Sequence, residues 1–352
     1  MTGIRKRGEQ TREFILENVE NNSKKIVALT MEKFNISRQA VHRHIKFLVD
    51  QGTLVRSRSG YYELCPQEEW KTTISIADNP YEDVVWRNEI KNRLGRLPDN
   101  ALSIWQYGFT EMFNNVVDHS ASPTVVMQLA KTAYSTEMHI GDFGVGIFNK
   151  IMKTMNLLDE RHAVIELTKG KLTTDPARHT GEGIFFTSRM FDTFRILSGE
   201  VFLSHDYGDD KDWILQNQKP SIGTWITMKL KNNTSRTPKQ IFDRFTSNDD
   251  FGFTKTVVPV RMAQYGDEKL VSRSQAKRLL ERIDRFKTVL FDFREVEIIG
   301  QAFADEVFRV FANQYPHIEL TPINANNAVM QVINNARYNK DNNQGSLLDI
   351  AH

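Results

Sequence analysis

Residues 109–120, FTEMFNNVVDHS, place polar side chains inside an otherwise apolar helical pattern; these are Glu111, Asn115, Asp118 and His119. Glu111 and Asn115 are four residues apart, so they share one face of a helix, and the other two continue near that face one turn later. Buried polar groups cost free energy unless they are matched. Polar residues this concentrated beside an apolar stripe therefore predict a binding site.

Two of these side chains suggest a chemistry for the site. The amide oxygen of Asn115 is a suitable hard ligand for Mg²⁺ held mainly by phosphates. The carboxylate of Glu111 is placed to orient or deprotonate an attacking water or hydroxyl group. A polar helix face is more often simply solvated, so the prediction depends on finding the other parts of a site.

A strand and a glycine loop follow in HIGDFGVGIF, residues 139–148. The strand delivers Asp142 to a loop that contains Gly144 and Gly146. A carboxylate at a strand end can accept a hydrogen bond from the exocyclic amine of adenine. The glycines allow the backbone to approach a ligand closely and to adopt positive φ.

Two later stretches supply a second glycine pair and a strand threonine. In RHTGEGIFF, residues 178–186, Gly181 and Gly183 precede a helix and would present backbone N–H groups to phosphates. In SIGTWITMKL, residues 221–230, Thr224 opens a late strand, for which simple strand propensity is nearly as good an explanation.

These four stretches, in this order and spacing, resemble the ATP-binding domain of the gyrase, Hsp90, histidine kinase and MutL group, the Bergerat fold. The resemblance covers about residues 99–231 and implies ATP and Mg²⁺ as cofactors. It implies that Asn115 ligates Mg²⁺, that Asp142 binds adenine and that Thr224 reaches adenine through water. Glu111 stands where hydrolytic members, and also anti-sigma-factor serine kinases, carry a general base. The four glycines resemble those of the lid and phosphate loops.

The chain has no P-loop of the G-x-x-x-x-G-K-[ST] kind, so cations must neutralise the phosphates in another way. Arg178 is the first candidate for the γ-phosphate, although a solvated arginine is an equal alternative. Lys169 and Lys171 lie in the segment 150–180, which is read as a polar, irregular lid. The complete predicted nucleotide-binding set is Asn115, Asp118, Asp142, Gly144, Gly146, Arg178, Gly181, Gly183 and Thr224.

Residues 1–66 read as helices followed by a strand–turn–strand pattern, which resembles a winged helix-turn-helix. On the third helix Val41, Ile45, Leu48 and Val49 share one face. The opposite face and the wing carry side chains suited to phosphates and base edges, namely Arg38, Gln39, His42, Arg43, Lys46, Arg56 and Arg58. DNA binding through residues 37–58 is the prediction, and a solvated basic face on a protein-binding domain is the alternative.

The stretch TVLFDFREVEIIGQAFADEVFRVF, residues 288–311, resembles the strand–loop–helix of STAS domains, the fold of anti-sigma-factor antagonists. The resemblance covers residues 252–338 and implies a protein partner. The loop where phosphorylated relatives carry a Ser or Thr reads Ile299–Gly300–Gln301–Ala302, which puts phosphorylation at this site in doubt. Asp305 and Glu306 are either a partner surface or ordinary solvated charges.

The remaining segments read as connections. Residues 67–98 are predicted to be a linker and a helix that packs on the ATP-binding domain, 232–251 a linker, and 339–352 a loose tail. The predicted fold class is α+β multidomain: a winged helix, an α/β-sandwich Bergerat domain and a STAS-like α/β domain.

Composition limits the alternatives. With a net charge of +2, the overall charge of the protein is too small to attract nucleic acid, so DNA binding requires a local basic patch. A single cysteine, Cys65, excludes a disulfide framework and a multi-cysteine zinc site. With no apolar run of membrane-spanning length and no apolar signal core, the expected location is cytoplasmic, without a membrane partner.

Three functions fit this interpretation. The first is a DNA-binding regulator in which ATP binding and slow hydrolysis through Glu111 switch the packing of the outer domains or a homodimer. The second is an anti-sigma-type serine/threonine kinase that acts on a partner STAS protein. The third is an ATP-bound adaptor in bacterial stress or phage defence. A two-component histidine kinase fits less well, because His162 follows the Asp142 loop whereas the acceptor helix of such kinases precedes the Asn-bearing helix.

Overall fold

A computed structural model describes residues 2–77, 80–173, 180–208, 211–246, 252–264 and 268–345. The fold is mixed α/β, with helices and several sheets, as the sequence predicts. The elements group into an N-terminal unit (residues 2–65), a sheet unit (66–246) and a C-terminal unit (252–345).

The N-terminal unit consists of helices followed by a hairpin: α1 (Thr2–Asn22), α2 (Ile26–Phe34), α3 (Arg38–Asp50), β1 (Leu54–Arg56) and β2 (Tyr62–Leu64). Ser37 caps α3, where its Oγ accepts a hydrogen bond from Ala40 N–H at 3.3 Å. Val41, Ile45 and Leu48 are buried, whereas Val49 of the predicted stripe is exposed.

The sheet unit contains an antiparallel five-stranded sheet in the order β3-β4-β5-β7-β6. Its strands are β3 (Pro66–Ser75), β4 (Thr124–Thr132), β5 (Ser135–Asp142), β6 (Thr193–Asp206) and β7 (Lys211–Lys231). The prediction of a linker beginning at residue 67 is therefore wrong for β3. Trp70 and Ile74 alternate with polar residues along β3, which is the pattern of an edge strand with one covered face.

The helices of the sheet unit are α4 (Glu82–Val85), α5 (Lys91–Leu94), α6 (Asp99–His119), α7 (Ile147–Met155), α8 (Glu160–Lys169), α9 (Gly183–Met190) and α10 (Pro238–Phe245). A π-helical turn, Trp86–Ile90, joins α4 to α5. The described part of the predicted lid, residues 150–173, is thus largely helical, and α8 is buried, so the prediction of an irregular lid is wrong there. The predicted linker 232–251 contains α10, which begins with a capping box between Thr237 and Gln240.

Helix α6 packs its apolar stripe on one face of the sheet. Trp105, Phe109 and Met112 are fully buried, and Trp105 meets Phe191, which follows α9, edge to face at 4.8 Å. Met228 of β7 is also fully buried and belongs to the same core. Apolar burial on this scale fixes α6, and with it the polar residues near its C-terminal end.

The C-terminal unit has a parallel sheet in the order β10-β9-β8. Its regular elements are β8 (Lys255–Pro259), α11 (Arg273–Leu280), β9 (Thr288–Asp292), α12 (Gln301–Asp305), α13 (Ala312–Gln314), β10 (Glu319–Ile323) and α14 (Asn327–Gly345), with 3₁₀ turns at Val260–Ala263 and Ile283–Arg285 and a π-helical turn at Glu306–Phe311. Residues 339–345 of the predicted loose tail continue α14, and the rest of that tail lies outside the described residues.

The N-terminal unit contacts the sheet unit through acidic residues of α1. Glu17 accepts hydrogen bonds from Lys231 Nζ at 2.6 Å and from the Tyr134 hydroxyl at 3.2 Å, and Glu20 pairs with Lys229 at 2.6 Å. Within the described ranges, no helix combines the length and apolar character needed to cross a membrane.

Candidate functional site

A cavity of about 220 Å³ lies between the C-terminal half of α6, helix α7 and the start of α9. We call it the main cavity. Its lining residues are Glu111, Asn115, His119, Ile147, Lys150, Ile151, Leu167, Leu172, Thr173, Thr180, Gly181, Gly183 and Ile184. The cavity therefore brings together residues from three of the four stretches that the sequence analysis selects.

The polar face of α6 supplies one wall. Glu111, Asn115 and His119 follow one another at intervals of four residues and line the main cavity. Asp118 of the predicted binding set does not line it and is exposed. Asp118 lies about two helical turns after Glu111 and within roughly 20° of it around the helix axis, so its angular position fits the predicted face, but the cavity wall does not extend to it.

A recess of about 30 Å³ adjoins the main cavity. Asn115, His119 and Ile147 line both spaces. The other walls of the recess include Asp142 and Thr224, so the residues predicted to meet adenine lie together, beside the predicted magnesium ligand.

Asp142 is a buried carboxylate at the end of β5, with a relative exposure of 1%. Burial raises the pKa of its side chain, while hydrogen bonds from the backbone N–H groups of Gly144 and Thr224 act in the opposite direction. Gly144 N–H donates to its Oδ1 at 2.8 Å. The Thr224 hydroxyl, in the middle of β7 instead of at a strand start, accepts from Ile147 N–H at 2.9 Å.

The first glycine pair shapes the loop without lining either cavity. At Gly144 a Cβ atom would overlap the carbonyl oxygen of Ser120, which follows α6 directly. The same oxygen accepts Val145 N–H at 2.8 Å. Gly146, with φ of +76°, precedes the first residue of α7. These glycines hold the loop against the end of α6.

The second glycine pair, Gly181 and Gly183, also lines the main cavity. Gly181 has φ of +75°, and its carbonyl accepts Leu172 N–H at 3.2 Å. Gly183 is the first residue of α9, whose first-turn N–H groups have no partner within the helix by its geometry. Arg178, predicted to bind the γ-phosphate, lies outside the described residues.

Sequence reasoning did not select Lys150. Its Nζ lies 3.0 Å from the His119 carbonyl oxygen and 3.4 Å from His119 Nδ1. Its position four residues after Gly146, on the first turn of the helix that follows the loop, is the signal that could have identified it. Lys169 and Lys171, suggested as lid cations, instead contact the C-terminal unit.

The residues predicted to contact DNA are all exposed or partly exposed: Arg38, Gln39, His42, Arg43, Lys46, Arg56 and Arg58. The first five lie on α3, and the last two lie on and beside β1. Arg56 Nε donates to the Gly60 carbonyl across the hairpin turn at 3.3 Å, which orients this arginine along the hairpin.

The loop Ile299–Gly300–Gln301–Ala302 leads into α12, and Gly300 N–H donates to the Leu270 carbonyl at 2.8 Å. Asp305 pairs with Arg309 on the next turn, where Nη2 lies 2.6 Å from Oδ2, and this pairing lowers the pKa of Asp305. Glu306 is largely buried. Of the two carboxylates suggested as a partner surface, one is thus paired within its helix and the other is mostly covered.

A family model described as a STAS-like domain of unknown function (DUF4325) matches residues 275–330. The C-terminal part of the chain is therefore STAS-like, as the sequence analysis predicts. No curated protein matches the chain.

Proposed function

We propose that the protein is a Mg-ATP-dependent DNA-binding regulator, in which the sheet unit is a Bergerat-type nucleotide domain and the N-terminal unit a winged helix. The observation that carries the proposal is a pair of adjoining cavities: Glu111, Asn115, Gly181 and Gly183 line the main cavity, and Asp142 lines the recess.

The polar groups that line the two cavities fit a purine nucleotide and its divalent ion. A buried carboxylate in a narrow recess suits an exocyclic amine, which it can bind as an acceptor. The N-terminus of α9 suits phosphate, because its backbone N–H groups and helix dipole favour an anion. Asn115, which borders both spaces, offers an oxygen ligand for Mg²⁺.

The chain's own residues can then activate a nucleophile. Glu111 lines the main cavity beside Gly183, at the end where phosphates are proposed to lie. It would hold a water molecule and accept its proton. Bound Mg²⁺ would supply charge neutralisation at the phosphate oxygens. Burial raises the pKa of Tyr107, and the nearby charges of Glu111 and Glu182 raise it further, so this phenol stays protonated beside the candidate base.

Calorimetry with ATP and Mg²⁺ tests the nucleotide site. Asn115→Ala should abolish the Mg-dependent part of binding. Asn114→Ala is the matched control, since it removes the same amide group from the same helix at a position that lines neither cavity. No heat and no thermal shift with wild-type protein would refute the proposal.

DNA binding with and without nucleotide tests the regulatory part. ATP can alter DNA affinity only if it binds one arrangement of the units better than another. Fluorescence anisotropy on a labelled duplex should give different affinities with ATP and with no nucleotide, at fixed salt. Equal affinity and equal salt dependence in both states would remove DNA from the mechanism.

The STAS-like match favours a second candidate, transfer of the γ-phosphate to a hydroxyl of a partner STAS protein. In that case Glu111 would accept the proton of a Ser or Thr instead of a water proton. Labelled ATP distinguishes the two: label on a partner STAS protein indicates a kinase, and free phosphate indicates an ATPase. Retained, unconverted ATP would favour the adaptor alternative.

A further inference from the structure

We propose that the STAS-like C-terminal unit controls the shape of the main cavity. Its residues 278–285 hold helix α8 in place, and α8 and the residues just after it form part of the cavity wall. This inference rests on the proposed nucleotide function for its biological meaning. The structural part of the inference is that residues 278–285 hold α8 in place, and these contacts are present without nucleotide.

Helix α8 connects the main cavity to the C-terminal unit. Leu167 lies in the wall of the main cavity, and Leu172 and Thr173, just beyond the helix end, line the same space. On the other side, His162 Nε2 lies 3.2 Å from Glu281 Oε2, and Glu166 pairs with an arginine of the C-terminal unit. A rigid helix of ten residues cannot shift on one face without shifting on the other.

The contact with the C-terminal unit is a charge cluster, defined as His162, Glu166, Lys169, Glu281 and Arg282, in which the three residues of α8 are buried. Lys169 Nζ lies 2.5 Å from Glu166 Oε1 and 2.8 Å from the Glu281 carbonyl oxygen. Arg282 Nη1 lies 3.2 Å from Glu166 Oε2. Glu166 is 2% exposed and Lys169 1% exposed. Charges this deeply buried require their partners, because an unpaired one is strongly destabilising.

A second contact lies between the charge cluster and the cavity. Lys171 Nζ donates to the Arg285 carbonyl at 3.0 Å, and Arg285 Nη1 donates to the Lys171 carbonyl at 2.9 Å. Leu172, the next residue, lines the main cavity and donates its N–H to Gly181. Residues 278–285 therefore hold the backbone on which one cavity wall is built.

The same cluster has the spacing of a metal site, since His162, Glu166 and Glu281 offer ligand atoms within 4.8 Å of one another. The ammonium group of Lys169 and the guanidinium of Arg282 already neutralise Glu166. We therefore assign the cluster as a charge-compensated contact between units, and metal binding is an outcome of the test.

Hydrogen exchange of the full-length protein, measured by mass spectrometry without nucleotide, tests the structural part. Glu166→Gln should accelerate exchange in peptides covering residues 160–173 and 278–285 together, by roughly tenfold or more. Lys171→Met, which leaves the charge cluster intact, should give a smaller change in the same two segments. Glu69→Gln, an exposed change on β3, is the control. Acceleration confined to 278–285, or no change in either variant, would overturn the proposal.

A non-hydrolysable ATP analogue with Mg²⁺ tests the coupling. In wild type it should slow exchange at 278–285, and this protection should disappear in Glu166→Gln, because coupling between two sites is reciprocal. If calorimetry detects binding but 278–285 is unaffected, the coupling is refuted. If the analogue does not bind at all, the proposed function fails while the nucleotide-free result still decides the structural part. A zinc-induced rise in the unfolding temperature that Glu281→Gln abolishes would replace the charge contact by a metal site.

Discussion

Glu111 and Gly183 lie side by side in the wall of the main cavity, so closely that a Cβ atom on Gly183 would overlap the Glu111 carboxylate. The helix that carries the candidate base and the helix that carries the candidate phosphate-binding N-terminus thus meet at a position where only glycine leaves the carboxylate in place.

Replacing Gly183 with alanine should therefore displace Glu111. We expect Gly183→Ala to lower the rate of phosphate release from ATP by roughly tenfold or more, since a misplaced general base is much less effective. Gly208→Ala, where an added Cβ meets no atom within 4 Å, should keep the wild-type rate. A wild-type rate in Gly183→Ala would show that Glu111 does not act as the base.

Lys150 is expected to bind phosphate groups. It lines the main cavity with its Nζ 3.0 Å from the His119 carbonyl oxygen, and an ammonium group there attracts a polyphosphate. Lys150→Met should weaken the binding of ATP more than that of adenosine in competition experiments. Lys153→Met removes the same charge from an exposed position on the same helix and should change neither affinity. Equal weakening of both ligands would assign Lys150 a structural role.

The exposed basic face of α3 is expected to contact DNA. Arg43→Ala and Arg58→Ala should each weaken binding to duplex DNA and lower the slope of log affinity against log salt by about one for each phosphate that the variant no longer neutralises. Lys91→Ala removes an equal charge from an exposed site on α5 and serves as the control. Unchanged slopes in both arginine variants would favour a protein-binding role for this face.

His162 predicts a pH dependence of stability. Burial lowers its pKa below the ordinary value near 6.5, Lys169 adds to this effect, and Glu281, Glu166 and Asp159 oppose it. The unfolded chain therefore binds the proton more readily, so this contribution to stability is complete above about pH 6.5 and is lost as the pH falls below it.

Thermal unfolding between pH 7.5 and 5 measures this contribution. The unfolding temperature should fall less steeply with decreasing pH in His162→Gln than in wild type. His317→Gln, at an exposed histidine of the C-terminal unit, should retain the wild-type dependence. Parallel curves for all three proteins would show that His162 is not responsible.

Local sequence patterns were sufficient for much of the fold. The 3.6-residue periodicity of α6 predicted its buried stripe and the shared face of Glu111 and Asn115. Ser37 marked the start of α3, because a cap acts within one helical turn. The strand–loop–helix of residues 288–311 indicated a STAS-like unit, which the family match at 275–330 supports independently.

Some local signals were present but not recognised. Thr237 and Gln240 form a capping box, and Pro238 stands at the first helical position; together they mark α10 inside a segment predicted to be a linker. Asp159, whose Oδ1 accepts His162 N–H at 2.8 Å, marks the start of α8 in the same way. Both segments were predicted to be irregular because their composition is polar. Polar composition does not exclude a helix, however, when the charged side chains of the helix have partners.

The sequence by itself determined the features that depend on neighbours within a few residues, namely the polar face of α6, the glycine turns and the helix caps. What only the tertiary structure decided was which residues meet across long separations. Lys169 is buried against residues 278–281 instead of lying in an open lid, and Lys150 joins the cavity of α6. The physical reason is that a charge can be buried only beside its partner, and the partners that Glu166 and Lys169 find in the C-terminal unit lie more than a hundred positions along the chain.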